Sequence, residues 1–165
     1  MIDSKAKGYR AEAAAKKQLI ELTGLDWQRT PSSGALNKAH KMKGDLYLPD
    51  CKNKFCVEVK HYKESQFNTK ILTDMEPQLL KWWAQTLRQA KEVDRLPLLL
   101  FKFDRSQYFV VFTQDALGSA VSYNKYRQVS FSFITENYNP LWGNKPVFIA
   151  KLEDWIKHED IQWII

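Results

Sequence analysis

Residues 44–60 read Gly-Asp-Leu-Tyr-Leu-Pro-Asp-Cys-Lys-Asn-Lys-Phe-Cys-Val-Glu-Val-Lys, and this stretch decides the fold. Two segments rich in apolar residues, about Gly44–Leu48 and Lys54–His61, flank Pro49–Asn53, whose residue types favour turns. Apolar runs separated in this way are typical of paired strands. The sequence therefore predicts a β-hairpin here.

Three charged side chains of this hairpin are predicted to converge. Side chains alternate across a strand, so Glu58 and Lys60 share one face, and the hairpin brings Asp45 close to Glu58. Two neighbouring carboxylates repel each other unless a cation lies between them, and a site made only of oxygen ligands favours Mg²⁺ or Mn²⁺. Lys60 could then hold a hydroxide or stabilise a transition state. The alternative is an ordinary exposed strand, because a Glu-x-Lys pattern is also frequent where no metal binds.

A further carboxylate lies on the predicted first helix, residues 4–23. Ser4 is a suitable N-cap, an alanine-rich run follows, and Gly24 ends the helix. Glu12 shares a stripe of the helix with small and apolar residues, namely Gly8, Ala15 and Leu19. A carboxylate buried there is costly unless it is paired or near a metal. The alternative is an exposed pair with Lys16, one turn later.

The remaining pattern predicts an α/β domain. The further predicted elements are strands at Leu25–Thr30, Leu96–Phe103, Gln107–Thr113, Arg127–Thr135 and Lys145–Lys151, helices at 74–93 and Leu152–His158, and a basic loop at 31–43. The order α-β-β-β-α-β-β predicts a mixed central sheet of about five strands flanked by helices. We expect a single domain over residues 1–165, with a core at about 4–113 and a C-terminal extension at about 114–165.

The charge of the chain is concentrated in its first third. The 25 basic and 19 acidic residues give a net charge of +6, and the whole excess lies within residues 1–63. A basic region of this kind favours an anionic partner, most simply nucleic acid. The basic residues near the predicted carboxylates are Lys5, Lys7, Arg10, Lys38, His40, Lys41, Lys43, Lys52, Lys54 and Lys63. If these residues contact phosphates, binding should weaken steeply as salt is added.

Several classes of protein are disfavoured by the sequence. No apolar run approaches the roughly 20 residues that span a bilayer, and the N-terminus lacks the apolar core of a signal peptide. We therefore expect a cytoplasmic protein. The two cysteines, Cys51 and Cys56, do not have zinc-site spacing. The chain also has neither a Gly-rich phosphate loop nor a nucleophile elbow.

Four motifs, taken in order, resemble a known superfamily. They are Lys7-Gly8-Tyr9-Arg10-Ala11-Glu12, Arg29-Thr30-Pro31-Ser32-Ser33-Gly34, Gly44-Asp45 and Val57-Glu58-Val59-Lys60. Together they resemble the PD-(D/E)XK nucleases over about residues 5–113, and they are most similar to the archaeal-type Holliday-junction resolvases and their phage relatives. The chain departs from the pattern in two respects. Gly44 stands where the superfamily has proline, and the chain runs well past the usual resolvase core.

The resemblance implies a restriction-endonuclease-like fold and a role for each motif residue. Asp45 and Glu58 would ligate the metal ion, with the backbone carbonyl of Val59 as a further ligand. Lys60 would position or activate the attacking water. Glu12 would be the helix-borne carboxylate that completes the metal site.

The same resemblance adds candidates that contact substrate. Ser32 or Ser33 matches the loop serine that approaches substrate in these resolvases, and the choice between them is open. A glutamine of the second helix would lie beside the site, with Gln78 as the first candidate and Gln85 as its competitor. The candidate DNA-binding residues are Lys7, Arg10, Arg29, Ser32, Ser33, Lys38, Lys41, Lys43 and Lys63.

The activity implied by the resemblance is a Mg²⁺- or Mn²⁺-dependent endodeoxyribonuclease that resolves four-way junctions by hydrolysing phosphodiester bonds. Because a junction has two-fold symmetry and two equivalent cuts, a homodimer is the expected arrangement. The expected compartment is the cytosol of a bacterium or a phage-infected host. Two alternatives stay open, a nuclease of the same fold that acts on other DNA in repair or restriction, and a non-catalytic DNA-binding relative.

Overall fold

Helices pack against both faces of a single mixed β-sheet. The computed structural model describes residues 4–31, 42–49, 53–74, 77–117, 127–129 and 147–158. In chain order the elements are α1 (Ser4–Thr23), β1 (Gln28–Arg29), β2 (Leu46–Tyr47), β3 (Phe55–Tyr62), α2 (Lys70–Thr73), α3 (Gln78–Glu92), β4 (Leu96–Phe103), β5 (Phe109–Thr113), a 3₁₀ turn (Gln114–Ala116), β6 (Arg127–Val129), β7 (Val147–Lys151) and α4 (Leu152–His158). Within these ranges, no helix is long and apolar enough to cross a membrane.

The described strands form one seven-stranded sheet in the order β1-β2-β3-β4-β5-β7-β6. β3 and β4 run parallel and are connected through α2 and α3, whereas every other neighbouring pair is antiparallel. The predicted fold class, a mixed sheet flanked by helices, is confirmed. The sheet has more than the five strands expected, because β7 pairs with β5 and β6 pairs with β7.

The alternation of side chains divides the core into two layers. Val57 and Val59 of β3 pack on the face covered by α1, together with Ala15. On the opposite face, Trp83 of α3 packs against Phe101 of β4. All four residues of 98–101 are buried, which confirms that β4 is a central strand covered on two sides.

Several predicted elements have nearly the expected bounds, but the strands expected at Leu25–Thr30 and Gly44–Leu48 are only two residues each, Gln28–Arg29 and Leu46–Tyr47. α1 has the predicted bounds and is followed by Gly24, whose φ of +69° is a conformation that glycine adopts readily. The helix expected over 74–93 begins only at Gln78, because Pro77 precedes it with a non-helical ψ of 146° and proline disfavours a helical residue before it. Residues 32–41 of the predicted basic loop and 130–135 of the predicted sixth strand lie outside the described ranges.

One side chain of α3 is buried more deeply than its period predicts. The helical spacing places Trp82 about 100° from Trp83 and predicts that it is partly exposed. Its exposed fraction is only 7%. The reason is tertiary, because the Trp82 ring lies between Tyr62 and Phe101, with ring centroids 5.7 and 6.2 Å away.

Candidate active site

Asp45, which directly precedes β2, is held between the end of β1 and β3 by its own backbone. Its peptide N–H donates to the Val57 carbonyl at 2.6 Å, and its carbonyl accepts from the Thr30 N–H at 2.9 Å. Its carboxylate oxygen Oδ2 accepts a hydrogen bond from the Val59 N–H at 2.7 Å. Three contacts from two neighbouring segments therefore fix both the position and the direction of this side chain.

The residue before Asp45 has to be glycine for two reasons. Gly44 has a φ of +86°, a region that side chains with a Cβ rarely adopt. A Cβ placed on Gly44 would also lie 2.6 Å from the Val57 carbonyl oxygen, which is backbone and cannot move aside easily. Close approach to β3 thus explains why this chain has glycine where the superfamily pattern has proline.

Glu58 lies on β3, and its side chain is almost completely buried, with 3% exposed. Its Oε1 atom accepts hydrogen bonds from Lys60 Nζ at 2.6 Å and from Gln85 Nε2 at 2.7 Å. Its Oε2 atom is buried and has no hydrogen-bond partner among the described residues. A buried carboxylate oxygen without a partner is costly, so this atom is available for a ligand.

The two hairpin carboxylates influence each other electrostatically. Burial, and then the negative charge of Glu58, raise the pKa of Asp45 to about 7, with a smaller contribution from Glu12 in the same direction. The hydrogen bond from Val59 and the positive charge of Lys60 lower the pKa of Asp45 without cancelling this rise. Repulsion of this kind is what a bound cation would relieve. The prediction that Asp45 and Glu58 lie close together agrees with this coupling.

The donors at this position fit a hard divalent cation. The described part of the chain contains no group of three or more His, Cys, Asp or Glu side chains able to hold a metal ion. A cation here would therefore depend on Asp45, Glu58 and further oxygen atoms from backbone, water or substrate. Because the N–H and C=O of one residue point to the same edge of a strand, the Val59 carbonyl is directed towards the edge that Asp45 occupies. Burial raises the pKa of the neighbouring Cys56 thiol to about 12, which disfavours thiolate ligation.

Glu12 pairs with Arg29 and not with Lys16, the partner considered from the sequence. Its Oε2 atom accepts hydrogen bonds from Arg29 Nε at 2.8 Å and from Arg29 Nη2. The Arg29 guanidinium carbon lies 3.9 Å from the centre of the Tyr9 ring. Lys16, the alternative partner of Glu12, donates instead to Gln28 at 2.8 Å. Tyr9 was missed by the sequence analysis, although its position three residues before Glu12 on α1 is a signal that they share a face.

The structure distinguishes between the two candidate glutamines. Gln85 donates to Glu58, whereas Gln78, the first candidate, lies at the start of α3 and lines a separate groove with Tyr62 and Gln66. The two glutamines are seven residues apart, so they share one face of the helix but differ by about 10 Å along its axis. The contact with Glu58 favours Gln85 over Gln78 as the glutamine of the site, because the packing of α3 places its third turn and not its first against Glu58.

The candidate DNA-binding residues are only partly described. Lys7 and Arg10 are exposed near the start of α1, and Lys63 is exposed just after β3. Lys43 is half-exposed and pairs with Glu92 at 2.8 Å, which offsets part of its charge. Ser32, Ser33, Lys38 and Lys41 lie outside the described ranges, so their assignments stay predictions.

Comparison with known proteins adds an independent observation. The model of a family described as "Phage putative PDDEXK endonuclease" matches residues 3–165, nearly the whole chain. Protein D14 of Escherichia phage T5 is 40% identical to it over 112 residues, which cover 66% of this chain and 70% of that protein. No solved structure is significantly similar to the chain.

Proposed function

Because the chain belongs to the family of phage PD-(D/E)XK endonucleases, we propose that it is a divalent-metal-dependent endonuclease that resolves four-way DNA junctions. The observation that carries the catalytic part of this proposal is the pair formed by the partly buried Asp45 and the buried Glu58. The pKa of Asp45 is raised by Glu58, and Glu58 keeps one buried oxygen without a partner among the described residues. A non-catalytic DNA-binding domain has no need of such a costly arrangement.

The residues that would hold the cation are Asp45 and Glu58, with the carbonyl of Val59 as a further donor. When bound, Mg²⁺ or Mn²⁺ would polarise the phosphodiester and offset the negative charge that develops during hydrolysis. Oxygen donors of this kind suit either ion.

Lys60 and Gln85 have separate tasks in this proposal. The Lys60 ammonium has three N–H donors, of which the one to Glu58 fixes its position at 2.6 Å. The remaining donors can orient the attacking water or contact a phosphate oxygen. Gln85 donates to the same Glu58 oxygen at 2.7 Å and so holds this carboxylate in one orientation. Such neighbouring hydrogen bonds contribute strongly to the precision of a metal site.

DNA as substrate is supported by the distribution of charge. The net charge of +6 lies within residues 1–63, the part of the chain that also contains Asp45, Glu58 and Lys60. Preference for four-way junctions rests on the resemblance of the sequence motifs to resolvases, and a homodimer would match the two-fold symmetry of the junction. A protein that acts on DNA during infection would work in the cytosol of the host.

The decisive experiment compares two substrates of matched sequence. A labelled four-way junction and a linear duplex are incubated with Mg²⁺, with Mn²⁺ or with EDTA, and the products are mapped at nucleotide resolution. We expect paired, symmetric nicks in the junction that depend on the metal. Equal cleavage of both substrates would retain the endonuclease and reject the resolvase. If neither substrate is cleaved with either ion, the proposed activity is wrong.

A further inference from the structure

The second set of contacts at the site, between α1 and β1, points to a specific substrate contact. We propose that Glu12 is a positioning residue for Arg29, and that the Arg29 guanidinium, held between Glu12 and the Tyr9 ring, binds a phosphate of the DNA backbone. This inference rests on the proposed nuclease function and assigns a binding site within it. It also gives Glu12 a role other than metal ligation.

The guanidinium is fixed from two directions. Glu12 Oε2 accepts from Nε at 2.8 Å and also from Nη2, while the Tyr9 ring lies 3.9 Å from the guanidinium carbon. An arginine side chain has five N–H donors in one plane, and only two of them are directed to Glu12. Within the part of the chain that the structure describes, the other three donors have no hydrogen-bond partner, and a planar fork of this kind matches the oxygens of a phosphate.

The pair lies next to the hairpin carboxylates. Arg29 is opposite Leu46 in the β1–β2 register, and Leu46 directly follows Asp45. The neighbouring Thr30 N–H donates to the Asp45 carbonyl at 2.9 Å. Adjacent strands are about 5 Å apart, so a DNA strand whose phosphate reaches Asp45 also passes close to Arg29. The side chains of Glu12 and Arg29 are each 22% exposed, so both can be reached from solvent.

Metal ligation and positioning make different demands on Glu12. Oε2 of Glu12 accepts two N–H donors from the positively charged Arg29, so ligation of a cation by Glu12 would fall to its other oxygen, Oε1. If Glu12 acts on the metal, its removal weakens metal binding. If Glu12 acts through Arg29, its removal weakens DNA binding even when no metal is present.

The test measures these two properties separately on the full chain. DNA binding is measured by fluorescence anisotropy on a labelled duplex in EDTA over a range of salt concentrations, and Mn²⁺ binding is measured by calorimetry without DNA. The variants are Glu12→Gln, Arg29→Gln and the double variant. Glu21→Gln is the matched control, because Glu21 is an exposed residue of the same helix, paired with Lys17 at 3.8 Å.

The direction of the change in DNA affinity distinguishes a lost phosphate contact from a general change in charge. Glu12→Gln and Glu21→Gln each remove one negative charge, so non-specific electrostatics alone predicts slightly tighter DNA binding for both. We expect the control to follow this rule and Glu12→Gln to bind DNA about fivefold more weakly, with the double variant no weaker than Arg29→Gln. The salt slope should fall by about 0.9 in both single variants, which corresponds to one lost phosphate contact. Mn²⁺ affinity should change by less than about twofold in Glu12→Gln.

A second pair of variants tests the inference without altering a half-buried carboxylate. Tyr9 is 59% exposed, so Tyr9→Ala carries little risk for folding. We expect Tyr9→Ala to weaken DNA binding several-fold and Tyr9→Phe, which keeps the ring, to bind like the wild type. The inference is overturned if Glu12→Gln and Tyr9→Ala bind DNA as tightly as the wild type, or if Glu12→Gln loses Mn²⁺ binding but keeps DNA binding. A wild-type protein that does not bind DNA would instead overturn the proposed function as well.

Discussion

The carboxylate of Asp45 accepts a hydrogen bond from the Val59 N–H at 2.7 Å, two residues along β3 from Val57, where β2 pairs with β3. The side chain of Asp45 thus extends the hydrogen-bond ladder between β2 and β3 beyond the two residues of β2. Because Glu58 lies between Val57 and Val59, this contact also brings the two carboxylates together. The candidate metal site is therefore part of the sheet itself and not an addition on a loop.

The first prediction concerns the carboxylate pair. Asp45→Asn and Glu58→Gln should each reduce Mg²⁺-dependent cleavage at least about 100-fold, because each removes a charged oxygen donor from the cation. DNA binding in EDTA should stay largely intact, since neither residue is among the basic side chains expected to contact phosphates. Glu153→Gln is a suitable control, because Glu153 is an exposed residue of α4 that pairs with Lys157 at 2.7 Å. Full cleavage by either site variant would reject the site.

The second prediction separates the two glutamines of α3. Gln85→Ala should lower the cleavage rate about 10- to 100-fold, because Glu58 loses the donor that fixes its orientation. The same change at Gln78, two turns earlier, should have the smaller effect. Single-turnover cleavage rates at saturating Mg²⁺ measure the difference. A larger loss at Gln78 would mean that the groove at the start of α3, and not the contact with Glu58, contains the functional glutamine.

The third prediction concerns the pH dependence of stability in the metal-free protein. The pKa of Asp45 is about 7 in the folded chain, against a usual value of 3.8, so the folded state binds the extra proton between these values. The stability that Asp45 contributes is therefore fully present below about pH 4 and is lost as the pH rises towards 7. Asp45→Asn does not titrate. Its free energy of unfolding should exceed that of the wild type at pH 8 by an amount on the order of 2 kcal/mol, and the gap should close towards pH 4.

Urea unfolding in EDTA at a series of pH values tests this dependence. A difference between Asp45→Asn and wild type that does not change with pH would contradict it. Added Mn²⁺ should oppose the loss of stability at high pH, because a cation binds the deprotonated carboxylates. We expect Mn²⁺ to stabilise the wild type more at pH 8 than at pH 6, and to have little effect on Asp45→Asn.

The fourth prediction uses two glycines with opposite surroundings. Gly44→Ala should destabilise the protein by about 2–4 kcal/mol, because the new Cβ meets the Val57 carbonyl and the positive φ is strained. Gly8→Ala should stabilise it by about 1 kcal/mol, because Gly8 lies within α1 and a Cβ there meets no atom within 4 Å. Thermal or urea unfolding measures both effects. Equal stability of the two variants would show that β2 can move away from β3.

The sequence was sufficient for features that depend on local pattern. The helical stretch at 4–23, the apolar run of β4 and the hairpin that joins Asp45 to Glu58 follow from residue types and from spacings of 3.6 and 2 residues. The shared face of Glu58 and Lys60 has the same origin, and they are in contact at 2.6 Å. For residues close together in the sequence, backbone geometry alone fixes which side chains share a face, so these predictions are reliable.

The tertiary structure decided the axial position of each element and the surface against which it packs. Gln78 and Gln85 are equivalent by helical period, and only the packing of α3 on the sheet places Gln85 against Glu58. Likewise, the spacing of α1 identifies Glu12 as an unusual carboxylate, but β1 supplies its partner Arg29 from 17 residues away. The burial of Trp82 between Tyr62 and Phe101 has the same cause. Periodicity specifies the face of an element, whereas its axial position depends on side-chain packing across distant parts of the chain.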